Sequence, residues 1–133
     1  MNHKTLQLIA AVPGIPMLLN GVGFVLDPGQ VAMSLGMPLL EGLGRSTQIG
    51  DIGAFFLTCA WCVFYGSYRS SSSWLGAGAL LLGLAAVMRL LAFGLHDAAF
   101  APVFIAVEVV LATWLTVCAV QFERRGREAT QHD

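Results

Sequence analysis

The chain has few charged residues and no marked excess of either sign. Of its 133 residues 11% are charged, with 7 Lys and Arg against 8 Asp and Glu. A nucleic-acid-binding surface needs clustered basic residues, so we predict no nucleic-acid partner. The sequence also lacks a glycine-rich phosphate loop, and its three histidines and three cysteines do not have zinc spacing. We therefore predict no cofactor and no metal.

Hydrophobic residues make up 56% of the chain, more than one small water-soluble core can bury. Four apolar stretches of about 20 residues are long enough to cross a bilayer as helices. They lie at about 6–26, 47–68, 74–95 and 101–121. We predict an all-α membrane protein: a four-transmembrane-helix bundle in one domain, 1–122, and a polar cytoplasmic tail, 123–133. The tail is expected to be a solvated helix end or disordered.

Basic residues concentrate at the amino terminus, in the second loop and in the tail, whereas the first and third loops offer only Arg45. These basic residues are Lys4, Arg69, Arg124, Arg125 and Arg127. By the positive-inside rule, both termini are cytoplasmic in a bacterial inner membrane. An even number of spans also requires both termini on one side.

The first outer loop, 27–46, is long and begins with the turn signature DPGQ. Its segment VAMSLGMPLL is too short to span, so we predict a short interfacial helix at the outer membrane surface, ending near Gly36 and Pro38. This helix either shields the bundle or acts as a lid. The second loop, YRSSSSW, is short and polar, which makes spans two and three antiparallel neighbours.

Each predicted span carries one strongly polar residue in its outer half. These residues are Asn20, Asp51, Arg89 and Glu108. A charge near a helix centre costs about 2.5–3.5 kcal/mol on insertion scales, so such residues usually face the bundle interior and one another. Counting the helical rise inward from the outer ends places all four at similar depth. We predict that they form a polar layer opening toward the outer face.

Arg89 is expected to pair with Glu108 on the adjacent antiparallel helix in bidentate geometry, with Asp51 close by. Two carboxylates around one guanidinium leave one negative charge uncompensated. Either one acid, with Asp51 the candidate, keeps its proton, or a cation or ligand supplies the missing charge. The alternative is that the layer only fixes the register of the helices.

His96 and Asp97 follow span three in the outer loop, where we expect them to cap the helix end in water, or alternatively to act as a gate over the polar layer. Cys59 and Cys62 have the spacing of a redox motif. Because they fall in mid-span rather than at a helix start, we interpret them as packing residues.

Several of these features resemble a known family. Pro28 precedes the long first loop, span two begins QIGDIGAFF, Arg89 lies late in span three before a short polar loop, and Glu108 lies in span four. With these residues the chain resembles a bacterial family of small four-span membrane proteins, domain of unknown function 4345. The resemblance extends to about Val120. It implies the four-span fold and the same polar residues, and no activity.

Three classes of function remain open. In the first, a lipophilic small molecule (a lipid, quinone or isoprenoid) places its polar head at the polar layer and its tail among the helices. In the second, the protein is an accessory subunit that packs against a larger membrane complex, or a homo-oligomer. In the third, it is a membrane isomerase or proton-coupled transporter that uses Asp51 and Glu108. We rank binding or assembly above catalysis.

Overall fold

The apolar stretches fold into helices separated by short turns. The computed structural model describes residues 2–130, with side chains as far as Glu128, and this part of the chain contains no strand. The elements in chain order are α1 His3–Ala11, α2 Gly14–Leu26, α3 Pro28–Ser34, α4 Gly42–Thr47, a π-helix Gln48–Ile52, α5 Gly53–Arg69, α6 Ser72–His96 and α7 Pro102–Thr130.

Four helical segments are long and apolar enough to cross a membrane: His3–Leu26, Gly42–Arg69, Ser72–His96 and Pro102–Glu128. The predicted all-helical membrane fold with four spans is confirmed at this level. Each segment extends beyond its predicted bounds, because hydropathy marks the apolar part of a helix whereas backbone hydrogen bonding continues into the polar flanks.

Of the predicted tail, residues 123–130 continue α7, which is the solvated-helix form of the prediction. The last three residues, which include His132, lie outside the described residues.

The first span is interrupted by Pro13, which separates α1 from α2. Proline has no backbone N–H, so the carbonyl of Ile9, four residues earlier, loses its usual helical donor. The indole Nε1 of Trp114 in α7 donates a hydrogen bond to this carbonyl oxygen at 3.1 Å. The Val12 N–H also donates to this oxygen, at 3.4 Å, so the local turn and the neighbouring helix together replace the donor that the proline lacks.

Glycines allow close approach between successive helices. A Cβ added at Gly21 in α2 would lie 2.7 Å from Cγ of Leu57 in α5. At Gly78 in α6, an added Cβ would lie 3.3 Å from Cδ1 of Leu115 in α7. Around these contacts the core is formed by residues of all four spans: Leu6, Met17, Cys59, Val63, Leu75, Leu82, Leu115 and Cys118. The cysteines therefore pack in the core, as predicted.

Three segments meet at one end of the bundle: the start of the chain, the turn between α5 and α6, and the second half of α7. His3 Nε2 lies 2.9 Å from Ser70 Oγ, and Gln7 Nε2 donates to Ser70 Oγ at 3.0 Å and to the Tyr68 carbonyl at 3.1 Å. The His3 ring packs edge-on against Phe122, with 6.0 Å between centroids. The first span therefore begins at the end of the bundle where α5 turns into α6.

The first loop contains a short helix, but its bounds differ from the predicted segment 31–40. Helix α3 begins at Pro28, because Pro suits the first helical position and Asp27 Oδ1 accepts a hydrogen bond from the Gln30 N–H at 3.1 Å. The helix ends at Ser34, shortly before Gly36, whose φ of +78° favours glycine. The next residues run without helix to Gly42.

Replacing Gly21 by Ala is expected to lower the free energy of unfolding by about 1–3 kcal/mol, because the new methyl group would overlap the Leu57 side chain. Titration of the protein from neutral micelles with sodium dodecyl sulfate measures this difference. The matched control is Gly83→Ala, where an added Cβ meets nothing within 4 Å and only helix propensity changes. Equal effects of the two substitutions would contradict the close approach of α2 and α5.

Candidate functional site

Arg89 and Glu108 form an ion pair between α6 and α7. Arg89 Nε donates to Glu108 Oε1 at 2.8 Å, so the predicted pairing is confirmed. The contact uses one carboxylate oxygen, and the bidentate geometry that we expected is wrong. The side chains are 36% and 13% exposed, so the carboxylate is the more enclosed partner.

Phe104 packs against the guanidinium of Arg89. It lies one helical turn before Glu108 in α7, and its ring centroid is 4.8 Å from Arg89 Cζ. A guanidinium at this distance from an aromatic face gains a cation–π interaction and loses contact with solvent. The sequence analysis missed this residue, although the spacing of four residues on one helix could have indicated it.

The hydrogen-bonding capacity of the pair is only partly used. Glu108 Oε2 is buried and has no hydrogen-bond partner among the described residues. Arg89 donates through Nε, and no side-chain hydrogen bond from its terminal nitrogens to another described residue is found. A buried acceptor without a donor costs about 1–3 kcal/mol, more when it is charged. The oxygen atom Oε2 and the terminal nitrogens of Arg89 are therefore free to contact a further group.

All four residues of the predicted polar layer line one cavity of about 720 Å³. They come from four different spans: Asn20, Asp51, Arg89 and Glu108. The remaining walls are almost entirely apolar and include Met17, Leu35, Met37, Phe55, Phe56, Leu82, Met88, Phe104 and Leu111. The cavity therefore combines a small polar part with a large apolar part.

Asn20 has one hydrogen bond to its own helix, from Nδ2 to the Pro16 carbonyl at 2.8 Å. Its Oδ1 accepts no hydrogen bond from the described side chains or backbone. The amide oxygen is therefore available to a ligand as an acceptor on the cavity wall.

Asp51 shares the cavity with Arg89 but makes no ion pair with it. Among the residues whose side chains the structure describes, Asp51 has no ion pair closer than 4.0 Å. Asp51 is exposed and lies within the π-helix, whose wider turn changes the direction in which its residues project. Such single π turns occur frequently at functional sites. It also lines a second cavity of about 410 Å³ beside the first loop.

The buried amide of Gln48 attaches the first loop to this helix. Gln48 is 4% exposed; its Nε2 donates to the Pro38 carbonyl at 3.1 Å, and its Oε1 accepts from the Leu40 N–H at 2.9 Å. Arg45 Nε adds a hydrogen bond to the Leu40 carbonyl at 2.8 Å. The loop is thereby fixed next to Asp51. The sequence analysis assigned Gln48 no role, because its partners are backbone groups of a loop.

His96 and Asp97 lie away from the cavity. α6 ends at His96, and Asp97 follows in the left-handed region with φ of +52°. Both side chains are exposed, and neither lines the cavity. Their gate role stays a prediction, without a contact to support it.

The described residues contain no group of three His, Cys, Asp or Glu side chains that could hold a metal ion. Comparison of the chain with known protein families, with characterised proteins and with solved structures finds no match. The resemblance to domain of unknown function 4345 therefore stays a prediction.

We expect the Arg89–Glu108 pair to be coupled in stability. Arg89→Leu or Glu108→Leu alone should cost about 2–4 kcal/mol of unfolding free energy, because each leaves one charge unpaired in a low-dielectric setting. The double replacement should recover at least half of the summed loss, since no charge remains. Denaturant titrations of all four proteins test this. Simple additivity of the single effects would show that the ion pair contributes nothing.

Gln48→Leu should loosen the first loop while leaving the spans intact, because a leucine side chain neither accepts from Leu40 nor donates to Pro38. Hydrogen exchange of the Leu40 amide should become about tenfold faster, by loss of about 1 kcal/mol of local stability. Thr47→Ala, at an exposed neighbouring position, is the control. Unchanged exchange in Gln48→Leu would rule out the amide as the attachment point.

Proposed function

We propose that this protein binds an amphiphilic small molecule of lipid, quinone or isoprenoid type within the membrane. The head group is held among Asn20, Asp51, Arg89 and Glu108, and the tail lies along the apolar walls. The observation that carries this proposal is the cavity itself, in which the polar groups of four spans share one space with apolar side chains.

The size and lining of the cavity support this class of ligand. A volume of about 720 Å³ falls within the range of about 300–1,000 Å³ that is usual for small-molecule sites. Such sites are mostly apolar and hold a few polar groups that orient the ligand. The unused hydrogen-bonding groups of Arg89 and Glu108 provide that polar part.

We further propose that the chain lies in a bacterial inner membrane with both termini cytoplasmic. Arg69 and the basic residues of α7 belong to the same end of the bundle as the start of α1, which supports this orientation under the positive-inside rule. Helix α3 would then lie at the outer surface, and Asp51 and Arg89 would lie in the outer half.

Native mass spectrometry of protein extracted mildly from its own membrane tests the proposal. We expect a stoichiometric extra mass of a few hundred daltons, by the size of molecule that such a cavity takes. Ala85→Phe should lose this mass because the cavity is filled. Arg69→Ala, an exposed arginine outside the cavity, is the control and should retain it.

Other outcomes would contradict ligand binding. A bare protein, or a mass that persists in Ala85→Phe, would reject the cavity as its site. An extra mass in the kilodalton range would instead favour an accessory subunit of a larger complex. An activity lost in Asp51→Asn would favour the membrane isomerase or proton-coupled transporter.

A further inference from the structure

The ionisable groups of the cavity do not balance. Arg89 contributes one positive charge, which the carboxylate of Glu108 compensates at 2.8 Å. Asp51 contributes a further negative charge and has no cationic partner within 4.0 Å among the described residues. The cavity lining therefore carries a net charge of −1, that is, one positive group and two negative groups. Asp51 is exposed in the chain taken alone, and a cation that binds beside this net negative charge gains electrostatically.

The free hydrogen-bond acceptors of the cavity also favour a cationic head group. Asn20 uses its Nδ2 on the Pro16 carbonyl and presents Oδ1 as an acceptor. The carboxylate of Asp51 adds two further acceptor oxygens. A protonated amine has three N–H donors and no acceptor, so it complements such a set. An anionic head group would bring a third negative charge into the same space.

Resting on the proposed function, we propose that the amphiphile carries a protonated amine, which binds at Asp51. The position of Asp51 suits this role, because it lines the larger cavity and also the smaller one of about 410 Å³ beside the first loop. Met37 and Ile52 likewise line both spaces. The amine head is held where the two spaces adjoin, and the alkyl tail extends along the apolar walls of the larger one.

The ion pair of Arg89 and Glu108 does not favour an anionic head group. The terminal nitrogens of Arg89 could donate hydrogen bonds to an anionic group, but Glu108 already neutralises this guanidinium. A carboxylate or phosphate placed there would face both Glu108 and Asp51, which repel it. The amine is the head group that brings the total charge of the site to zero.

Binding of three amphiphiles with one chain length tests this assignment: tetradecylamine, tetradecanol and tetradecanoic acid, at neutral pH and low salt in maltoside micelles. Native mass spectrometry and a thermal-shift titration both report occupancy. We expect the amine to bind the unaltered protein at least about tenfold more tightly than the alcohol or the acid. Asp51→Asn should abolish this preference while retaining the binding of tetradecanol. Asp97→Asn, an exposed acid outside the cavity, should keep the preference.

Each contrary result has a distinct meaning. Tightest binding of the acid, equal binding of amine and alcohol, or an amine preference that survives Asp51→Asn would overturn the amine assignment and leave amphiphile binding intact. Binding of none of the three to the unaltered protein would overturn the proposed function as well. Retained tetradecanol binding by Asp51→Asn shows that this variant is folded, so loss of its amine preference is attributable to the carboxylate.

Discussion

Within a membrane, a polar group must find its partner in the protein, and this constraint determines most of the structure. The carbonyl of Ile9, which Pro13 deprives of its usual helical donor, accepts from the indole of Trp114 as well as from the Val12 N–H. The loop carbonyl of Pro38 is satisfied by the amide of Gln48. These hydrogen bonds join segments distant in sequence, so they determine where helices and loop lie relative to each other.

The cavity is the region where this constraint is met incompletely. In the part of the chain that the structure describes, no group donates a hydrogen bond to Glu108 Oε2, and no cationic side chain lies within 4.0 Å of Asp51. In the rest of the bundle, glycines and apolar side chains bring the helices into contact, as at Gly21 and Leu57. Hydrogen-bond acceptors without donors thus lie on the wall of a largely apolar cavity of about 720 Å³. A ligand with hydrogen-bond donors and an apolar part would complement both.

The sequence was sufficient for the spans and for the pairing of Arg89 with Glu108, because lipid demands long apolar runs and a fixed rise per residue gives each polar group a depth. The depth of a residue along a helix does not determine the direction in which its side chain points around the helix axis. The separation of Asp51 from the guanidinium and the single-oxygen geometry of the ion pair could therefore not be predicted. The attachment through Gln48 depends on loop backbone, and a π turn leaves no mark in composition.

The π-helix at Gln48–Ile52 places one additional residue in a single turn of the second span. Deletion of one residue within this turn would restore α geometry, and the segments on either side would keep nearly the same direction, because one turn would still separate them. Deletion of one residue in the α-helical part of α5 would instead rotate everything before it by about 100° relative to everything after it. A change of one residue in chain length at this turn therefore leaves core residues such as Val63 with their neighbours, whereas the same change within α5 would repack them.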